Sequence, residues 1–136
     1  MHLELAWGTD PGLHRDENED SILVWRNRGG VDALIVVCDG MGGHAAGHLA
    51  SSIASETIAH SLEKDGDRGP DPARLKAAAM QANSAVFESA KQNPAWNGMG
   101  STMVVVARPR CCHLQLLPGF QPKQSALDNW ANVMKL

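Results

Sequence analysis

The chain has 136 residues, a net charge of −3 and 43% hydrophobic residues. That is enough to bury one core and too little for two domains. Neither Lys nor Arg forms a run, so nothing in the charge pattern favours nucleic acid or an anionic membrane as partner. The three cysteines, Cys38 and the adjacent Cys111 and Cys112, are too few and too poorly spaced for a disulfide framework. No basic segment followed by an apolar run opens the chain, and no stretch is long enough to span a bilayer. The expectation is a cytoplasmic protein.

In chain order, Leu3, Leu5 and Trp7 alternate with His2, Glu4 and Ala6, the period of an antiparallel strand with one core face. Gly8 to Gly12 turns the chain, and a polar segment from His14 to Asp20 leads into a second strand at Ser21 to Trp25. Asn27-Arg28-Gly29-Gly30 reads as a hairpin turn. It delivers the chain into Ala33 to Cys38, an unbroken apolar run rich in β-branched residues that reads as a strand buried on both faces. Asp39 and a glycine-rich loop follow. A helix from about Ala46 to Lys64 carries Leu49, Ala50, Ile53, Ala54, Thr57, Ile58 and Leu62 on one stripe. Asp71-Pro72 is an N-cap followed by a first-turn proline, and it starts a second, alanine-rich helix that Asn93-Pro94 ends at about Gln92. A loop from Trp96 to Thr102 opens a strand at Met103 to Ala107, and residues 108–136 keep neither period apart from a short helix candidate after Gln124.

The chemistry gathers at the hairpin. If the strands around the Asn27 to Gly30 turn pair, the start of the first lies beside the end of the second, and Glu19 and Asp20 come close to Asp39. Crowded carboxylates are costly unless a divalent cation neutralises them, and an all-oxygen donor set favours Mg²⁺ or Mn²⁺ over zinc. Arg15 stands where its planar fork can hold a phosphate.

These residues carry a resemblance. Arg15-x-x-Asn18-Glu19-Asp20 is similar to the first signature of the PPM-type (protein phosphatase 2C) metal-dependent serine/threonine protein phosphatases in their bacterial form. Val37 to Gly47 followed by Ala50-Ser51 resembles the second, and Gly98-Met99-Gly100-Ser101-Thr102 resembles the family's Gly-x-Gly-Thr-Thr. The match runs from about Leu5 to Ala107. It implies an α+β fold, a four-layer sandwich of antiparallel β-sheets flanked by antiparallel helix pairs. It also implies a two-metal centre of Mn²⁺ or Mg²⁺, with Asp39 bridging the ions, the Gly40 carbonyl on one of them, and Glu19 and Asp20 acting through bound water. Arg15 would bind the substrate phosphate. The implied reaction is attack of a two-metal-activated hydroxide on phosphoserine or phosphothreonine in proteins, with no phospho-enzyme formed, within a cognate kinase system.

The resemblance stops after Ala107. The Val-Gly-Asp-Ser-Arg, Asp-Gly and Asp-Asn segments that complete the family's domain have no good counterpart, since Asp128-Asn129 lacks the flanking glycines and β-branched residues. Residues 1–107 therefore read as the N-terminal portion of the domain and 108–136 as an unrelated tail, with the C-terminal half missing and activity weak or absent. A non-catalytic remnant that binds phosphoprotein or another partner is the alternative. Two other readings fail on pattern. Gly40-x-Gly42-x-x-Ala45 mimics a dinucleotide fingerprint, but Glu63 or Asp65, at the expected spacing, follows a helix rather than a second strand. Asp16-x-Asn18-x-Asp20 begins like a calcium loop, but Ser21 and Asn27 occupy the positions of its glycine and bidentate glutamate. His44 and His48 could share a helix face as zinc ligands but have no third partner at a useful spacing.

Overall fold

The computed structural model describes residues 4–14, 17–28, 30–63, 71–109 and 115–116. Strand β1 (Asp20–Arg28) and strand β2 (Val31–Met41) form the hairpin, paired antiparallel in one unbroken register from Arg28 opposite Val31 to Asp20 opposite Asp39. The tight connection is possible because Gly30 adopts a φ of 74°, the positive value that matches a short turn to the twist of its strands. Helix α1 (His44–Glu63) follows at once, two residues earlier than its apolar stripe suggests. Helix α2 (Pro72–Gln92) starts where the sequence places it, with Asp71 Oδ1 accepting the Arg74 amide at 2.8 Å and proline in the first turn.

A single 3₁₀ turn (Pro94–Trp96) leads to β3 (Gly100–Ser101), β4 (Val104–Pro109) and β5 (Gln115–Leu116). The sheet runs β1-β2-β4-β5, all antiparallel, while β3 pairs with the last residues of β2. Helix α1 packs against β1, β2 and β3, and α2 packs on α1. The core lies between sheet and helices: Leu34, Val36, Cys38, Val105 and Ala107 meet Ala50, Ala54, Ile58 and Leu62, and beyond these Leu75, Ala78, Ala82 and Val86 of α2. Each large aliphatic side chain enclosed there contributes about 1.5–3 kcal/mol. The many alanines facing it let the helices approach closely. The architecture is α+β.

Three sequence expectations change. Residues 4–10 form no strand, although His2 to Trp7 has the right period; residues 1–3 lie outside the described ones, and no described strand pairs with residues 4–10. Alternation without a neighbouring ladder does not make a strand, and Trp7 is left 59% exposed. Strand β2 is buried on one face only: Leu34, Val36, Cys38 and Gly40 point inward, while Val37, Asp39 and Met41 are exposed. A β-branched run looks the same whether one face or both are covered. Finally, β4 continues to Pro109 and pairs with Gln115–Leu116, so strand structure reaches past Ala107; residues 110–114 and 117–136, including Asp128-Asn129, lie outside the described residues.

Candidate functional site

The hairpin register places Asp20 directly opposite Asp39 at the open end of the β1–β2 ribbon. Side chains of such a cross-strand pair share a face, with Cβ atoms about 4.5–5.5 Å apart, and like charges there repel. Both aspartates are exposed. Alternation along each strand puts them on the face turned away from the helices, next in line after Ile22 and Val37.

The backbone around Asp39 is held from both sides. Its amide donates to Thr102 Oγ1 at 3.3 Å, and its carbonyl accepts the Thr102 amide at 2.8 Å. Ser101 Oγ lies 3.2 Å from the same carbonyl and 2.8 Å from that of Thr102. The Gly40 amide donates to the Glu19 carbonyl at 3.0 Å, closing the other side. Gly40 is required by close approach: a Cβ there would overlap the Gly47 carbonyl of α1 and lie 2.7 Å from the Glu19 carbonyl oxygen. The strand end, the start of β1 and the first turns of α1 therefore meet with no room for a side chain between them. Glu19 points to the helix side, where its carboxyl carbon would lie 2.9 Å from a Cβ built on Gly47.

Of the residues singled out in the sequence, the structure thus brings Asp20, Asp39 and Gly40 to one end of the sheet and sets the Glu19 carboxylate beside α1 instead. Arg15 lies outside the described residues. Among the described residues, no group of three or more His, Cys, Asp or Glu side chains converges on one point. What is present is a pair of exposed carboxylates and a cramped backbone cradle, all oxygen donors. That set suits a hard divalent cation that keeps several waters, and it lacks the nitrogen and sulfur ligands zinc prefers. Cys38 is no rival nucleophile. Its thiol faces the core, and burial pushes its pKa from 9.0 up to about 12 against the opposing hydrogen bond with Ser101, so it stays protonated at neutral pH.

Sequence reading named Ser101 and Thr102 within a signature and His48 as a zinc candidate, and passed over Thr9; it assigned none of the four its contact with the acid segment. Ser101 and Thr102 lie in a segment recognisable by its glycines, but their bonds to Asp39 span more than sixty residues of chain and leave no local pattern. His48 places Nδ1 3.1 Å from the Asn18 carbonyl oxygen.

Comparison with known proteins agrees with this geometry. The family model described as protein phosphatase 2C matches residues 14–115. The chain is 38% identical over 104 residues to the serine/threonine protein phosphatase PstP of Mycobacterium tuberculosis, covering 76% of this chain and 19% of that protein. It is 30% identical over 106 residues to the protein phosphatase PhpP of Streptococcus pneumoniae, covering 77% and 43%. Among solved structures, the catalytic domain of PstP in complex with two manganese ions superposes with a TM-score of 0.61 at 37% identity, over 72% of this chain and 40% of that one. The chain thus spans less than half the length of each of these relatives. An acid pair across a hairpin end, a glycine cradle beneath it and a family match through both place the chain in the protein phosphatase 2C family.

Proposed function

We propose that this chain carries the N-terminal part of a metal-dependent phosphatase centre that acts on phosphoserine and phosphothreonine in proteins, with Mn²⁺ or Mg²⁺ as the ions. The observation that supports this reading best is the direct opposition of Asp20 and Asp39 beside the Gly40 carbonyl, in a chain similar to a manganese-bound catalytic domain. In this reading Asp39 and the Gly40 carbonyl would hold the ions and Asp20 would act through bound water, while Glu19, whose carboxylate is set beside α1, would contribute only through further water. Arg15 receives the phosphate. Bound divalent ions supply Lewis-acid chemistry, lowering the pKa of water and offsetting charge on the phosphoryl oxygens.

The chain's own residues supply placement. Thr102 and Ser101 fix the Asp39 backbone, so its carboxylate is presented without the reorganisation a loop residue needs. Gly40 removes the side chain that would hold α1 away. The part of the domain carried here reaches past Ala107, since the family match extends to residue 115 and β4 pairs with Gln115–Leu116. The cellular setting that fits is the cytoplasm, beside a kinase that makes the phosphoprotein; free Cys38 suits a reducing compartment, and among the described residues no helix is long and apolar enough to cross a membrane.

Calorimetric titration of the full chain with Mn²⁺, followed by assay on a phosphothreonine peptide, tests the reading. Mn²⁺ binding that Asp39→Asn weakens by tenfold or more is expected, with turnover low because two carboxylates leave each ion largely hydrated. Phosphatase activity indifferent to chelator and to Asp39→Asn would overturn it.

A further inference from the structure

Asp20 is only as well placed as the segment that leads into it. Glu17 to Glu19 belong to neither strand nor helix, yet the segment is tied at several points. The Asn18 side chain is the hub: its Oδ1 accepts the Asp20 amide at 3.0 Å and its Nδ2 donates to Thr9 Oγ1 at 2.7 Å. From the helix side, His48 in the second turn of α1 sets Nδ1 3.1 Å from the Asn18 carbonyl oxygen. A carbonyl only accepts, so the ring carries a proton on Nδ1. One residue before His48, Gly47 lets α1 come within reach of Glu19. His48 is exposed and adds nothing to the core between α1 and the sheet; among the described residues its side chain instead makes this bond across thirty residues of chain.

We propose that His48 and Asn18 are positioning residues that clamp the start of β1 to helix α1 and thereby keep Asp20 opposite Asp39, with Thr9 as a second anchor. The importance of that placement rests on the reading of the aspartate pair as cation ligands. The clamp is needed because Asp20 is the first residue of β1, which is an edge strand among the described ones, and ladders fray most readily at such ends. Without it, the Asn18 turn that holds the Asp20 amide loses its fixed point on the helix, and the carboxylate spends more time away from its partner.

Amide hydrogen exchange on the full chain, measured by NMR, reads the clamp without any metal, and a Mn²⁺ titration reads its consequence. His48→Ala is expected to speed exchange at the Asp20 and Gly40 amides by about five- to tenfold, the loss of one hydrogen bond's worth of protection, with Leu34 and Val36 unchanged. His48→Gln, whose amide can donate to the same carbonyl, restores the slow rates, and Asn18→Ala reproduces the fast ones. The Mn²⁺ dissociation constant is expected to rise by a similar factor in His48→Ala and to recover in His48→Gln. Unchanged exchange at Asp20 and Gly40, acceleration spread equally through β2, or failure of glutamine to rescue would each overturn the proposal. If the unaltered chain takes up no Mn²⁺, the cation reading falls while the exchange rates still decide whether His48 holds the segment.

Discussion

Cys38 shows how position along one strand separates two chemistries. It stands one residue before Asp39, yet alternation turns the thiol into the core and the carboxylate toward water. Burial holds the folded-state pKa near 12 against 9.0 for the free group. For a group whose pKa is raised on folding, the stabilisation is complete below the unfolded value and disappears as pH climbs toward the folded one. Stability should therefore be flat with respect to this group up to about pH 9 and then fall by about 1.4 kcal/mol per pH unit toward pH 12. Urea unfolding at pH 8 and pH 10 checks this, with Cys38→Ala expected to lose that part of the slope. At this scale the site's acids were legible because carboxylates beside glycines are rare at the end of an apolar run. The residues that hold them were not: Thr102 and His48 act through backbone groups far away in sequence, and any neighbouring polar residue would read the same before folding.

Among the elements, the two helices and the hairpin were readable because local rules carry them. Proline, glycine and aspartate punctuate the chain where the structure turns, and the apolar stripe of α1 repeats at helical spacing. Asp71 is the sharpest case, since its side chain satisfies one of the open amides of α2. Asp71→Ala should cost about 1 kcal/mol and lower the thermal midpoint by several degrees in a domain of this size. Circular dichroism on heating gives the comparison, and Asp71→Ser should recover most of the loss. The strand expected at His2 to Trp7 shows where local rules end. A helix closes its own hydrogen bonds, whereas a strand borrows them from a neighbour, and no described strand pairs with this segment. The covering of β2 was misjudged for a related reason, because what lies across a sheet face is decided by other parts of the chain.

Among the described residues the layers are lopsided. Both helices stack on one side of the sheet, while Ile22, Val24, Ile35, Val37, Val104 and Val106 share the other, aligned in cross-strand rows and absent from the core cluster. Val37 is 39% exposed. Apolar surface gathered in one place favours association in water, so the chain should self-associate as concentration rises. Val37→Lys should suppress this without loss of helix content, as light scattering and far-ultraviolet circular dichroism would report. An unchanged scattering profile would locate the sticky surface elsewhere. The same alternation makes the β1–β2 ribbon intolerant of any change in its length. Gain or loss of one codon within either arm would invert every side chain beyond it, turning an aspartate toward the helices and core aliphatics toward solvent. Natural variation in length should accordingly gather in the connection between α1 and α2, where an extra residue changes no parity.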